Sequence, residues 1–162
     1  MNGPQVKVHA TPLPMVRVKG SHREIGRQIG EFAKEQVIHS LENARELIKG
    51  TYNILELTWD GAIIQAQKYI PFAQERFPQY VEEVLGIAEG AGVNFDDLAV
   101  LNAMEAVTQD ALHLTKCTSF AVNGERTADG HVLVAHNEDW LPEDEDDVYL
   151  IHAEPNDEPP FL

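Results

Sequence analysis

The chain has 162 residues, 12 Lys plus Arg against 27 Asp plus Glu, and a net charge of −15 at pH 7. With 43% hydrophobic and 24% charged residues it reads as one globular domain large enough to bury a core. The charge excludes nucleic acid and anionic membrane surfaces as partners, since clustered Lys and Arg hold both, and a single cysteine excludes an internal disulfide framework or a multi-cysteine zinc site.

Val6 to Lys19 reads as extended chain. Val6, Val8, Val16 and Val18 alternate with polar residues, and Pro12 and Pro14 restrict the segment to short or edge strands. The first residues contain no apolar leader and no later run is long enough to span a bilayer, so a cytoplasmic protein is expected. Ser21 and Glu24 form a capping box that opens a helix. Ile25, Ile29, Phe32, Ala33, Val37, Leu41, Ala44 and Ile48 make one apolar stripe along it, with Gly50 as its stop. Gly26 and Gly30 lie one turn apart inside this helix, where each costs about 1 kcal/mol relative to Ala. They signal either close packing against another element or simple tolerance.

Trp59 to Phe77 reads as helix, with Ile63, Ile64, Ala66 and Ile70 inward and Pro71 kinking or dividing it. A further helix starts near Pro78, places Val81, Val84, Leu85 and Ala88 on one face and stops at Gly90-Ala91-Gly92. Asn94, with Asp97 three residues on, caps the next, whose core face is Leu98, Leu101, Ala103 and Met104. After Lys116 the residue types change. Cys117–Asn123 and His131–Asn137 are strand-like and separated by a loop ending in Asp129-Gly130, a hairpin signal; Val148–His152 reads as a third strand. Helices followed by strands, without one-for-one alternation, indicate an α+β fold.

Eight acids fall between Leu141 and Leu162 with no Lys or Arg among them, so residues 1–140 carry only −7. Glu143 to Asp147 lack the alternation and central glycine of a calcium loop and read as a solvated run. The seven histidines show no ligand spacing, so neither a metal nor a cofactor is expected. If Val122 faces Val132, antiparallel pairing sets Cys117 opposite Asn137, with His136, Glu138 and Asp139 close by. A thiol attacks as thiolate and needs a base. His136 could serve, as could a free α-amino group released by a cut before Cys117, with Asp139 orienting either. A buried, inert cysteine is the plain alternative.

Three segments carry a resemblance. Cys117-Thr118-Ser119-Phe120-Ala121-Val122, followed by Gly130 and His136-Asn137-Glu138-Asp139-Trp140, resembles the nucleophile region of the acyl-CoA:6-aminopenicillanate acyltransferase-like family. These are N-terminal-nucleophile (Ntn) hydrolases related to penicillin V acylase and acid ceramidase. Gly20-Ser21-His22-Arg23-Glu24-Ile25-Gly26 with Gln28 and Gly30 resembles the family's N-terminal motif, and Gly86-Ile87-Ala88-Glu89-Gly90-Ala91-Gly92 its middle motif.

The resemblance implies an inactive precursor that cuts itself between Lys116 and Cys117. The Cys117 thiol then attacks a linear amide or acyl thioester, its own α-amino group acts as base, and the acyl group passes to water or to an amine. Asp139 matches the aspartate that binds the nucleophile's amino end. His136 stands where related acylases often carry arginine, and Lys116 where many precursors carry glycine. The implied fold is an αββα sandwich, with residues 1–116 as helical pro-region and 117–162 as the start of the catalytic sheet. Because 46 residues from Cys117 onward are too few for that sandwich, the chain is expected to be the N-terminal part of such an enzyme. The family's oxyanion-hole asparagine and a further arginine lie downstream; after Trp140 this chain has Asn156 and no Arg. The expected partners are a small-molecule amide or acyl thioester, and a second copy pairing through an exposed strand edge. Two other readings stand beside this one: a non-catalytic helical binding or assembly module, and a Cys117–His136 dyad that acts without cleavage.

Overall fold

The computed structural model describes residues 12–51, 57–108, 117–138 and 142–162. Val6 and Val8 lie outside them. Strand β1 (Met15–Gly20) leads into helix α1 (His22–Phe32) through the expected capping box. The Ser21 hydroxyl accepts the Glu24 N–H at 3.4 Å, and the Glu24 carboxylate accepts the Ser21 N–H at 2.8 Å. The stripe from Ile25 to Ile48 is divided between two helices rather than carried on one. The chain breaks at Ala33 (φ −99°, ψ 25°), and α2 (Lys34–Thr51) follows. The two halves bury against different partners. Ile25 and Ile29 pack with Val18 and Ala153, whereas Ala33, Val37 and Leu41 meet Ala88, Ala91 and Leu98, and Ala44 and Ile48 meet Ala62, Ala66 and Val100. A straight helix would not present one stripe to all three groups. Phe32 turns outward onto Tyr149, and Gly50 lies within α2 instead of ending it.

The glycine pairs resolve as close packing. Helix α1 crosses α5 (Pro78–Ala91) with Gly26 and Gly30 facing Gly86 and Gly90. A methyl group on Gly26 would lie 2.8 Å from the carbonyl carbon of Glu83, and one on Gly30 2.8 Å from the Ala91 nitrogen. On Gly86 it would lie 2.8 Å from the Arg27 nitrogen, and on Gly90 2.7 Å from the Glu31 nitrogen. All four neighbours are backbone atoms, which cannot swing aside as side chains do. The outer rim of the crossing is tied by Arg23, which reaches Glu82 at 3.1 Å and Glu89 at 2.5 Å.

Helix α3 (Trp59–Gln67) starts on Thr58, whose hydroxyl accepts the Gly61 N–H at 3.1 Å. It buries Ala62 and Ala66 and turns Ile64 to solvent, contrary to the expected inward face. Ile64 is two residues from Ala62, about 200° around the helix. Pro71 lies in the first turn of α4 (Ile70–Arg76), where its missing N–H would be unpaired in any case. Gly92, at φ 74°, ends α5 in the left-handed conformation that favours glycine. Helix α6 (Phe95–Asn102) and the single turn α7 (Met104–Val107) follow. Asp97 leaves the Asn94 cap and turns into the core. It accepts the Trp59 indole N–H at 2.7 Å and pairs with Arg45 at 3.0 Å, while Arg45 lies over the indole at 4.8 Å.

Strand β4 (Leu150–Pro155) returns to the start of the chain and pairs parallel with β1, from Met15↔Leu150 to Gly20↔Pro155. Its buried Ala153 sits opposite Val18 and closes the core over Ile25 and Ile29. The fold is α+β, as expected. The acidic run is anchored rather than simply solvated. Pro142–Asp147 forms 3-10 turns on α2, where Asp147 binds His39 at 2.8 Å and Ser40 at 3.1 Å, and Asn43 donates to Asp144 at 2.8 Å. The Asp147 carboxylate raises the pKa of His39. Among the described residues no helix is long and apolar enough to cross a membrane.

Candidate active site

The third motif forms an antiparallel ribbon of β2 (Cys117–Val122) and β3 (Leu133–Glu138). The expected strands are present, but the register differs by one residue. Val122 pairs with Leu133 and Cys117 with Glu138. The connection sets this register. It makes a 3-10 turn at Gly124–Arg126, the Thr127 hydroxyl lies 3.1 Å from the Gly124 carbonyl and 2.7 Å from that of His131, and Gly130 takes φ 78°. Val132 therefore stays in the loop, outside the paired strand.

Because side chains alternate between faces, a shift of one residue exchanges the faces. Cys117, Ser119, His136 and Glu138 share one face. Asn137, expected opposite Cys117, pairs instead with Thr118 on the other. On the shared face the Ser119 hydroxyl is 2.7 Å from His136 Nδ1, and His136 Nε2 is 2.9 Å from Glu138 Oε2. One ligating atom from each of Cys117, His136 and Glu138 lies within 4.8 Å of the others. The hydrogen bond from His136, and after it one from the Cys117 thiol, hold the Glu138 carboxyl below the usual range. A carboxylate only accepts, so Nε2 carries the ring proton and Nδ1 accepts from Ser119. In the neutral ring the basic lone pair is thus directed at Ser119 and not at Cys117.

All four side chains are exposed. Glu138 also borders a cavity of about 590 Å³ whose walls include Ala44, Leu47, Leu101 and Met104, with Asp144 and Asp147 at its edge. Lys116, Asp139 and Trp140 lie outside the described residues. Residue spacing alone does not mark Ser119 as a site residue and sets Glu138 only in the neighbourhood of the thiol. The alternation of Cys117 with Ser119 and of His136 with Glu138 is visible in the sequence, but their meeting depends on the register. The two upstream motifs are the two sides of one helix crossing, α1 on α5, and Gly26, Gly30, Gly86 and Gly90 within them serve packing.

No protein-family profile matches the chain. The chain is 28% identical over 148 residues to the beta-alanyl-dopamine/carcinine hydrolase of Drosophila melanogaster, a match covering 87% of this chain and 37% of that protein. It is also 28% identical over 87 residues to the 40 kDa form of the acyl-coenzyme A:6-aminopenicillanic-acid acyltransferase of Emericella nidulans, covering 54% of this chain and 24% of that protein. The chain thus spans about a third of the first relative's length and a quarter of the second's. A match over 87% of 162 residues includes Cys117 wherever it begins. Both relatives are of the Ntn-hydrolase-like kind, and the chain is similar to the acyl-CoA:6-aminopenicillanate acyltransferase-like proteins that its three motifs resemble.

Proposed function

We propose that the protein is a linear amide hydrolase or N-acyltransferase whose nucleophile is Cys117, exposed by self-cleavage of the Lys116–Cys117 bond. The observation that carries this reading is the position of Cys117. It is an exposed thiol at the first residue of a strand, within a stretch matched by an amide hydrolase. A residue at a strand start can become a chain terminus without breaking the ribbon behind it.

In the cleavage step the Cys117 sulfur attacks the Lys116 carbonyl and the amide becomes a thioester as the Cys117 nitrogen takes up a proton. Water then frees the Lys116 carboxylate. The released α-amino group takes the thiol proton in each turnover, and the thiolate adds to the substrate carbonyl. Collapse expels the amine, which takes that proton, and leaves an acyl thioester on Cys117. Water or an acceptor amine removes the acyl group. Asp139 orients the α-amino group. His136, whose acceptor nitrogen faces Ser119, is a positioning residue in this scheme rather than the base. The apolar walls of the cavity beside Glu138 suit an acyl chain. Pairing of β1 with β4 keeps residues 1–116 and 117–162 together after the cut.

Cys117→Ser is expected to abolish turnover or slow it by on the order of a thousandfold or more. Asp139→Asn slows it with the fold unchanged. Unaltered rates of amide hydrolysis in both variants would remove these residues from the mechanism.

A further inference from the structure

We propose that the β2–β3 ribbon carries a zinc site formed by Cys117 Sγ, His136 Nε2 and a Glu138 carboxylate oxygen, and that zinc bound there silences the thiol. Sequence spacing hides this site, because its three ligands come from two strands and meet only through the pairing of Cys117 with Glu138. Thiolate, imidazole and carboxylate are the three donor types zinc takes up. Three protein ligands with a fourth position left to water is a common zinc arrangement. Around a tetrahedral ion with bonds of 2.0–2.3 Å the ligand atoms stand about 3.5 Å apart. Here they already lie within 4.8 Å, and all three side chains are exposed and can turn inward by the remaining distance.

The surroundings fit as well. A zinc-bound histidine commonly donates its other ring N–H to a nearby acceptor, which fixes the tautomer. Ser119 Oγ stands 2.7 Å from His136 Nδ1 and supplies that acceptor. On binding, the proton that His136 Nε2 shares with Glu138 is replaced by the metal. The ring then carries its proton on Nδ1 and donates it to Ser119. The thiol proton leaves to solvent, so one proton is released per zinc bound. The sulfur lone pairs are then engaged by the metal. If Cys117 is the nucleophile proposed above, the consequence is reversible inhibition relieved by a chelator; the site itself does not depend on that reading.

The test uses chelator-treated protein titrated with Zn²⁺ in a calorimeter and with Co²⁺ in a spectrophotometer. One ion per chain and a thiolate-to-cobalt charge-transfer band are expected, and the band disappears in Cys117→Ser. His136→Gln weakens zinc by more than about a hundredfold and Ser119→Ala by about tenfold or more, as losses of a ligand and of its orienting partner. A cobalt spectrum of the unaltered protein without the charge-transfer band overturns the proposal. So does zinc affinity in Cys117→Ser or His136→Gln that equals that of the unaltered protein. Failure here with cleavage intact removes only the zinc site. A sound zinc site in a protein whose Cys117→Ser variant keeps full turnover removes only the catalytic reading.

Discussion

Replacing Gly26 with alanine places a methyl group 2.8 Å from the Glu83 carbonyl carbon and 3.0 Å from the Ile87 nitrogen, with the Glu83 oxygen closer still. In an isolated helix the change would stabilise by about 1 kcal/mol. At this crossing every obstructing atom is backbone, so α1 and α5 must separate, and overpacking of this kind costs about 1–3 kcal/mol or somewhat more. Because the obstructing atoms are all backbone the upper end of that range applies, and against the propensity gain it leaves a net loss of about 2 kcal/mol, or a fall in Tm of about 4–8 °C for a chain of this size. Gly50 is the internal control. It is also helical, but nothing lies within 4 Å of the added carbon. Gly50→Ala is expected to raise Tm by about 2–4 °C, the propensity term alone. Gly86→Ala acts on the same crossing, since its added methyl would meet the Gly26 Cα at 3.0 Å. The Gly26→Ala/Gly86→Ala double variant should therefore lose less than the two single losses together, because the first separation relieves the second clash. Thermal unfolding of the four variants decides the matter. A Gly26→Ala protein that gains stability as Gly50→Ala does would refute the close crossing.

Three further outcomes are expected. Ser21→Ala removes the helix cap and should cost about 1 kcal/mol in chemical denaturation. The carboxyl of its partner Glu24 sits below its ordinary pKa, chiefly through the Ser21 N–H, so its share of the stability is present above about pH 4 and lost as pH falls through the lowered value. Asp97→Ala strands the Trp59 indole N–H and the Arg45 guanidinium and should cost about 1–3 kcal/mol. Asp97→Asn keeps an acceptor for the indole and should cost less, and equal losses in the two would contradict the pairing. His39 has its pKa raised by Asp147, so it holds the Pro142–Asp147 turns fully below about pH 6.5 and releases them as pH rises through the raised value. Hydrogen-exchange protection of that segment, corrected for intrinsic rates, should fall across this range in the parent protein and show no such step in His39→Ala.

Features that depend on neighbouring residues were legible in the sequence. Ser21 and Glu24 make their reciprocal bonds within one turn, and Gly92 ends α5 at the expected position. The Gly26 and Gly30 spacing was visible too, but its partners are some 60 residues away, and only the fold identifies them as Gly86 and Gly90. The break at Ala33 follows from three separate packing surfaces and has no proline or glycine to announce it. Parallel pairing of β1 with β4 joins the two ends of the chain and leaves no local trace. At the site, both strands could be read but their register could not. The Thr127–Gly130 connection moved the pairing by one residue, brought Ser119 and Glu138 onto the Cys117 face and turned Asn137 away. Asp97 shows a related limit: three residues after Asn94 it has the spacing of a cap, yet Arg45 and the Trp59 indole draw it inward.

The central claim is that Cys117 becomes an N-terminal nucleophile. Intact-mass spectrometry of the protein expressed from its own reading frame tests it most directly. The account predicts two chains divided between Lys116 and Cys117, the second beginning with the cysteine, and an uncut precursor in Cys117→Ala. A protein that stays uncut at this bond and still hydrolyses linear amides would contradict it.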